Sequence, residues 1–365
     1  MFLALRDLRV AKGRFALVGA VILLVALLST VLSGLATGLV DDGISGLRAL
    51  PITHLTFQEG AESSFSRSTL TPEQLSEFSG APGVEATPIG VSFLNAASDH
   101  DTTIDIALFG VDPSGFLAAE SAAPGAAGGP GGGIEGGLVL SDELADEVSV
   151  GEEFTIPGAE AALPVVGFTY AGTYGHVPIA FTALDTWQQL QYGDDARGRF
   201  SAVALRAGGG ADLAALDAAA GTETGTREDA FAGSPGYSAE TATMTLIRGF
   251  LLVISALVVG AFFTVWTVQR TRQIGLLKAL GASSAYVVRD ALGQLVVVLI
   301  VSVTLGTVLG LGLGSLVGGD VPFSFALGSV LASAVALAVT GMAGSLVALR
   351  KLTTVDPVIS LAAEQ

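Results

Sequence analysis

From Trp266 to Ala282 the chain reads Trp-Thr-Val-Gln-Arg-Thr-Arg-Gln-Ile-Gly-Leu-Leu-Lys-Ala-Leu-Gly-Ala. An apolar run ends here at Arg270 and Arg272, and a short amphipathic segment follows before the chain becomes apolar again. On a helix this segment has an apolar face beside a basic position, and Gly281 stands where a glycine commonly ends a helix. The pattern predicts a membrane exit followed by a helix at the cytoplasmic surface. Such a helix either binds a partner protein or lies on lipid headgroups, and the residues alone leave both open.

The composition is that of a membrane protein. Apolar residues make up 50% of the chain and charged residues only 14%, against about 25% charged residues in ordinary globular chains. Four stretches have no charged residue, and each reaches the roughly 20 residues that span a bilayer core. They are 15–40, 249–269, 291–319 and 321–349. The first is longer than the apolar core of a signal peptide, so we expect four retained transmembrane helices.

Basic residues predict the orientation of these helices. Ten of the 17 Lys and Arg residues lie in three short segments, 1–15, 269–290 and 349–365. Short segments rich in Lys and Arg stay on the cytoplasmic side. Both termini and the 270–290 loop are therefore expected inside a multi-pass protein of the plasma membrane.

The long segment 41–245 is then expected outside the cell. It holds 29 Asp and Glu residues against six Arg, and such an acidic surface argues against nucleic acid as a partner. The chain has no cysteine, so this domain must be held together by its core and not by disulfides. Capping and alternation patterns predict both helices and strands in it. The main predicted elements are a helix at 71–78, strands at 89–95, 150–156, 165–170 and 177–181, and a strand with a following turn at 103–113.

The expected fold class is an α-helical membrane protein with four transmembrane helices and a large mixed α+β extracytoplasmic domain between the first and second helices. The predicted layout is a cytoplasmic amphipathic helix (1–14), the first transmembrane helix (15–40), the extracytoplasmic domain (41–245), the second transmembrane helix (246–269), a cytoplasmic coupling helix (270–290), the third (291–319) and fourth (321–349) transmembrane helices, and a cytoplasmic tail (350–365).

The third predicted transmembrane helix carries a ridge of small residues. Gly306, Gly310, Gly314 and Gly318 recur at every fourth position. Such a ridge lets another helix approach closely within the membrane.

Three parts of the sequence resemble FtsX-like permeases of ABC transporters, the MacB-type superfamily. They are the basic leader 3–14, the segment 272–282 and the Asp-Pro tail 352–361. Gln273 stands where the family usually has an acidic residue. The resemblance implies a homodimeric membrane permease that works with two copies of a cytoplasmic ABC ATPase. It also implies that the ATPase docks on the coupling segment, at Ile274, Leu277, Lys278 and Leu280.

The residues show no convincing catalytic set. The glycine-rich run 124–133 is not followed by the Lys-Ser/Thr of a phosphate-binding loop, and neither His-Glu-x-x-His nor Gly-x-Ser-x-Gly occurs. We therefore expect a permease subunit that is not itself an enzyme, with ATP hydrolysis carried out by a separate partner.

The entry to the second span is the candidate binding site. Tyr237, Glu240, Met244 and Arg248 fall on one face of a helix. A carboxylate and an arginine near the membrane boundary are unfavourable there unless they pair or bind a ligand. One interpretation is a Glu240–Arg248 ion pair at the interface. The other is haem binding, because a phenolate, a carboxylate and a thioether can ligate iron and an arginine can pair with a propionate.

The chain also resembles the haem-exporter permeases of the superfamily, in which the position matching Glu240 belongs to the haem-binding region. The resemblance implies haem binding by Tyr237, Glu240, Met244 and Arg248, with haem as substrate, no intrinsic cofactor, and no metal beyond the haem iron. His176 is a second, weaker candidate for an axial ligand.

The functional hypothesis is a permease that takes haem from the membrane and exports it to the outside. Two alternatives stay open. One is a mechanotransmitter that activates an external cell-wall hydrolase, as the division FtsX does, and the other is a lipoprotein or peptide exporter of the MacB class.

Overall fold

The computed structural model describes residues 12–98, 103–118, 134–156, 161–316, 323–325 and 327–353. The chain divides into two compact units. The first, here called the sheet unit, is Val40–Glu240, and the second, here called the helical unit, is Met1–Leu39 together with Thr241–Gln365. The amphipathic leader, the 124–133 run and the tail beyond Thr353 lie outside the described residues.

Eight α-helices and ten strands are found in the described residues. The helices are α1 (Lys12–Ala49), α2 (Pro72–Ser79), α3 (Leu184–Tyr192), α4 (Leu213–Ala220), α5 (Arg227–Ala230), α6 (Tyr237–Ala279), α7 (Ser284–Leu316) and α8 (Leu327–Thr353). The strands are β1 (His54–Gln58), β2 (Val84–Ser98), β3 (Thr103–Val111), β4 (Leu138–Ser141), β5 (Glu153–Ile156), β6 (Ala161–Thr169), β7 (Thr173–Tyr174), β8 (Val177–Ala183), β9 (Ala202–Ala207) and β10 (Thr222–Thr226).

Four helices are long and apolar enough to cross a membrane, which confirms the predicted number of spans. The candidate spans are Phe15–Ala49, Tyr237–Phe262, Val288–Leu316 and Leu327–Leu346. Much of their apolar surface is exposed in the single chain. Apolar side chains on the outside of a helix are expected where lipid or another protein covers them.

Several of the predicted helix ends differ from the structure; α7 begins at Ser284 and α8 at Leu327, against predicted starts at 291 and 321. Helix α1 continues past residue 40 to Ala49, because Ile44 and Leu47 lie three residues apart and are buried in the core of the sheet unit. Helix α6 likewise starts at Tyr237, well before residue 246. A charge-free run marks the part of a helix that can cross a membrane, but the helix itself can continue beyond it. Helix α1 does so through Asp41 and Asp42, because charged residues keep the backbone hydrogen bonds of a helix.

The predicted coupling helix 270–290 is not a separate helix, and this expectation is wrong. Residues up to Ala279 continue α6, a turn follows, and α7 begins at Ser284. The predicted role of Gly281 is confirmed, because its φ of +96° is the left-handed conformation that ends a helix and favours glycine.

A mixed sheet forms the centre of the sheet unit. Its strand order is β10-β1-β9-β2-β3-β8-β4-β6-β5, with β7 paired to β8 and β5 also paired to the end of β2. The pairs β3–β8 and β4–β6 are parallel and the other pairs are antiparallel. Neighbouring residues on a strand face opposite sides, so Phe109 enters one core cluster and Leu108 the other. The mixed α+β fold class is thus confirmed.

Local patterns found most of these elements but not all of them. Helix α2 starts as predicted, with Thr71 as N-cap in a capping box and Pro72 in the first turn. Strand β9, helix α4 and strand β10 were not predicted, since this alanine-rich and threonine-rich part of the chain has little apolar alternation. Pairing of β1 with both β9 and β10 fixes these strands in the sheet.

Within the helical unit, the glycine ridge of α7 lies against α1, which confirms its predicted packing role. A Cβ atom on Gly306 would come within 2.4 Å of the Leu23 carbonyl oxygen, and one on Gly310 within 2.8 Å of the Thr30 Cβ. Gly314 makes room for the Phe323 ring instead. Gly318 lies outside the described residues.

We predict that Gly306→Ala destabilises the helical unit, because the added methyl group would force α1 and α7 apart; overpacking of this kind typically costs about 1–3 kcal/mol. The matched control is Gly312→Ala on the same helix, where an added Cβ meets no atom within 4 Å. Thermal unfolding of the purified protein should show a lower midpoint for Gly306→Ala only. Equal midpoints for the two variants would mean that the α1–α7 contact does not depend on the ridge.

Candidate functional site

The four predicted haem-binding residues lie on α6, within its first three and a half turns or so. Tyr237 and Glu240 belong to the sheet unit, and Met244 and Arg248 belong to the helical unit. All four side chains are half-buried. Ala242 and Thr243, which precede Met244 on the helix, are exposed. The helical spacing predicted from the sequence is therefore present.

Glu240 contacts a histidine from another part of the sheet unit. Its Oε1 lies 3.0 Å from Nε2 of His176. A Glu240–Arg248 ion pair is not among the salt bridges of the described residues. The partner of Glu240 among the described residues is His176 instead.

His176 also contacts a second carboxylate. Its Nδ1 lies 2.8 Å from Oδ2 of Asp42, near the end of α1. The imidazole thus lies between Asp42 and Glu240, and we call these three residues the His176 cluster. The three side chains are only partly accessible, at 29% for His176, 33% for Asp42 and 25% for Glu240.

The two carboxylate partners of His176 favour the protonated form of its ring. A neutral imidazole has one donor nitrogen and one acceptor nitrogen, whereas an imidazolium has two donors. Both nitrogens face a carboxylate, so two charge-assisted hydrogen bonds form only when the ring is protonated. Partial burial lowers the pKa of His176, but the hydrogen bonds and charges of Asp42 and Glu240 outweigh it, and the net pKa is raised.

A tight turn brings His176 to this position. Tyr174 pairs with Val177, which leaves Gly175 and His176 as a two-residue turn between β7 and β8. Their φ angles are +60° and +66°. This left-handed conformation suits glycine but is unfavourable for other residues, by about 1–3 kcal/mol where the surroundings impose it. This backbone conformation places the His176 ring in contact with Asp42 and Glu240.

Hydrogen bonds fasten the same turn to α1. The Gly43 carbonyl accepts from Gly175 N at 2.9 Å and from Ser234 Oγ at 2.8 Å. Ser45 Oγ lies 2.9 Å from Thr173 Oγ1 and accepts from Thr173 N at 2.9 Å. The end of α1, the β7–β8 turn and the loop before α6 therefore hold Asp42, His176 and Glu240 together.

Arg248 has a different environment, in the helical unit. Its Nη2 donates to the carbonyl oxygen and the hydroxyl of Ser33 on α1, at 3.3 and 3.4 Å. Its Nε is buried and has no hydrogen-bond partner among the described residues. In that same part of the chain Arg248 has no carboxylate partner, so its charge and one donor are available to an anion.

The residues predicted to contact the ATPase lie at and just beyond the C-terminal end of α6. Leu280 is 78% exposed and Leu276, which was not among the predicted contacts, is also exposed. The side chains of Ile274, Leu277 and Lys278 lie outside the described ones. Among the described residues there is also no group of three or more His, Asp or Glu side chains that could hold a metal ion.

His176 was only a weak candidate in the sequence analysis, although the structure places it at the centre of the cluster. Its signal was the Gly175-His176 pair between two predicted strands, since a two-residue turn often needs left-handed residues. Asp42 carried no signal, because it stood just beyond an apolar run among other acidic residues. Only the packing of the turn against α1 and α6 reveals both.

We predict that the His176 cluster makes stability depend on pH. Because the folded-state pKa of His176 is raised, its stabilisation is complete below the unfolded-state value of about 6.5 and is lost as the pH rises through the folded-state pKa. His176→Asn removes the imidazolium, and Asn tolerates the left-handed backbone. The unfolding midpoint of the wild type should exceed that of His176→Asn most at pH near 6, with the gap narrowing toward pH 9.

The control is His54→Asn, which removes a histidine that is hydrogen-bonded to Thr53 and does not bridge two carboxylates. Its difference from the wild type should vary less with pH. A gap for His176→Asn that stays constant from pH 6 to 9 would contradict the imidazolium assignment.

Comparison with known proteins identifies the kind of chain to which these units belong. Residues 245–357 match the family model of the FtsX-like permease C-terminal domain. A relative from Staphylococcus haemolyticus, whose name assigns it to a hemin transport system as permease protein HrtB, is 24% identical over 98% of this chain and 98% of its own. The macrolide export ATP-binding/permease protein MacB of Bordetella avium is 33% identical over 34% of this chain and 20% of its own.

Among solved structures, the periplasmic region of MacB from Actinobacillus actinomycetemcomitans is 12% identical, and the match covers 51% of this chain and 94% of that one with a TM-score of 0.37. The family match falls on the helical unit, from within α6 to residue 357, and includes the stretch from Trp266 to Ala282. The chain therefore carries an FtsX-like permease C-terminal domain in residues 245–357 and resembles the FtsX-like and MacB-type permeases of ABC transporters.

Proposed function

We propose that this permease exports haem from the membrane to the outside, driven by a separate ABC ATPase. The general part of this statement, a membrane-embedded transport component of the ABC permease type, follows from the family match and the named relatives. The observation that carries the haem proposal is the extent of similarity. The hemin permease relative matches 98% of this chain, including the sheet unit, whereas the MacB relative matches 34%.

The incompletely hydrogen-bonded guanidinium of Arg248 on α6 supports an anionic substrate. Arg248 lies in a candidate span with one unsatisfied buried donor and no carboxylate partner among the described residues. An unpaired arginine within a membrane span commonly marks a substrate pathway. The propionates of haem supply the carboxylates that such a guanidinium binds most strongly.

The proposed haem-binding residues are Tyr237, Glu240, Met244 and Arg248. Glu240 ligates the iron once its carboxylate leaves His176, with Tyr237 or Met244 as further ligands. Arg248 pairs with a propionate. Haem is the transported substrate in this proposal, and the protein carries no cofactor of its own.

Orientation and partners complete the proposal. Both termini and the turn after α6 face the cytoplasm, the sheet unit faces outward, and two copies of the chain work with two ATPase subunits. The exposed Leu276 and Leu280 support a docking surface at the end of α6. Closure of the ATPases would push on this end of α6 and move its outer part, which carries the proposed haem-binding residues.

A mechanotransmitter is the second candidate function, and the His176 cluster favours it. Residues at the end of α1 and the start of α6 are joined to the β7–β8 turn within the sheet unit. A movement of either helix would therefore reach the sheet directly, as activation of an external hydrolase would require.

We predict that the double variant Tyr237→Phe/Glu240→Gln binds haem at least tenfold more weakly than the wild type and loses haem resistance in cells. Phe at position 237 keeps the packing against Phe231, and Gln at position 240 keeps the side-chain size but removes the anionic ligand. Binding is measured from the Soret absorbance during haem titration. Dimerisation and ATPase association should be unchanged.

Glu147→Gln, at an exposed position in the sheet unit, is the matched charge control and should bind haem normally. An unchanged Soret spectrum and affinity in the double variant would place the haem site elsewhere. Haem binding lost equally in the control would mean that the effect comes from net charge.

We predict that Leu277→Asp/Leu280→Asp abolishes co-purification with the ATPase, because two charges would replace apolar docking contacts. Ser283→Asp is the control, since it adds a charge in the adjacent turn without removing an apolar side chain. The measurement is pull-down of the ATPase with the tagged permease. An intact complex in the double variant would show that this end of α6 is not the coupling element.

A further inference from the structure

The sheet unit contains a pocket that lies apart from the proposed haem-binding residues and is independent of the proposed function. Its volume is about 420 Å³, within the range of small-molecule sites. Residues of strand β2, helix α3 and strand β7 line it, together with residues 64–66, 68 and 69, Ser201, Gly233 and Pro235. All of these belong to the sheet unit.

Aromatic rings form one part of the wall. Phe93 stacks on Tyr174 with ring centroids 5.8 Å apart and an interplanar angle of 14°. Phe93 is 44% exposed and lies where β2 pairs only with β3, beyond the end of the β2–β9 pairing at Ile89. Tyr174 and Trp187 are buried beneath the surface. A flat aromatic face is thus presented to solvent at this pocket.

Serine hydroxyls form another part, and their hydrogen bonding is incomplete. Gln58 N donates to Ser68 Oγ at 2.9 Å, Trp187 Nε1 donates to Ser92 Oγ at 2.9 Å, and Val91 N donates to Ser201 Oγ at 3.1 Å. Each hydroxyl oxygen is therefore oriented by an N–H donor. Among the described residues none of the three hydroxyls donates its own hydrogen, so oriented O–H donors remain for a ligand.

Two glycines fix the position of Trp187. Gly90 on β2 and Gly110 on β3 are direct cross-strand partners, and a Cβ on either would come within 2.3 Å of the Trp187 side chain. The missing side chains leave a shallow depression in the sheet in which Trp187 lies, with its N–H directed at Ser92. The wall of the pocket is therefore built by the packing of the sheet and does not depend on surface loops alone.

The absence of charged residues from the described lining restricts the kind of ligand that fits. No Asp, Glu, Lys, Arg or His is among the described residues that line the pocket. Phosphates, nucleotides and haem propionates need cationic partners, and a wholly apolar ligand would leave the oriented hydroxyls unpaired. A ligand with an apolar face and several neutral oxygen acceptors fits the lining.

We propose that this pocket binds a neutral sugar ring. One C–H face of a pyranose would lie on Phe93, and ring and hydroxyl oxygens would accept from Ser68 and Ser201. The same chemistry is offered by a free monosaccharide and by a unit of a glycan chain, so the test compares both.

The test uses the full-length protein in lipid nanodiscs, because glycoside detergents would compete for the pocket. Saturation-transfer NMR and calorimetric titration are carried out with N-acetylglucosamine, with its soluble β-1,4-linked trimer, and with glucuronate as an anionic counterpart. Both neutral probes should bind and glucuronate should bind at least tenfold more weakly. Tighter binding of the trimer would identify a glycan chain as the source, and equal binding per ring would identify a free sugar.

Phe93→Ala and Phe93→Leu test the stacking surface, and Leu keeps apolar bulk while it removes the flat ring. Each should weaken sugar binding at least tenfold, with unchanged haem binding. Val150→Ala, at another exposed apolar position, is the control and should bind sugar as the wild type does. The proposal is overturned if neither neutral probe binds the wild type, if glucuronate binds equally well, or if the Phe93→Leu variant keeps full affinity.

Discussion

A histidine between two carboxylates is the interaction on which the arrangement of the sheet unit at α1 and α6 depends. His176 meets Asp42 through Nδ1 and Glu240 through Nε2, at 2.8 and 3.0 Å. Three distant parts of the chain are joined in this way: the end of α1, a two-residue turn and the first turn of α6. The partly buried position makes each ion pair stronger than one on an open surface, where salt bridges contribute little.

The backbone of the turn shows that this position is imposed by the fold. His176 adopts a left-handed conformation that a histidine adopts only where its surroundings favour it. The hydrogen bonds of Gly43, Ser45 and Ser234 provide those surroundings. If haem is the substrate, Glu240 has two competing partners, the imidazolium and the iron, and release of one is coupled to binding of the other.

The helical unit follows a different physical rule. Close helix contact comes from missing side chains, as at Gly306 and Gly310, because burial of apolar surface drives little association in lipid. Polar groups are few there and are mostly hydrogen-bonded to the preceding turn of their own helix, as Thr30 and Thr340 are. The Nε of Arg248 differs from these groups, because it is buried without a hydrogen-bond partner among the described residues. An unsatisfied charged donor is unfavourable in a membrane span.

The sequence by itself determined the four spans, the large domain between the first two, the start of α2 at Thr71 and the end of α6 near Gly281. Each of these follows from local physics, namely the length of apolar runs, a capping side chain, or a residue that tolerates a left-handed backbone. The helical face of Tyr237, Glu240, Met244 and Arg248 was likewise readable from spacing.

Only the tertiary structure decided which partners these residues have. His176 lies 134 residues from Asp42 and 64 from Glu240, and sheet pairing over such separations leaves no periodic trace in the sequence. The extension of α1 to Ala49 and the pocket beside Phe93 have the same origin, because burial against distant strands creates them.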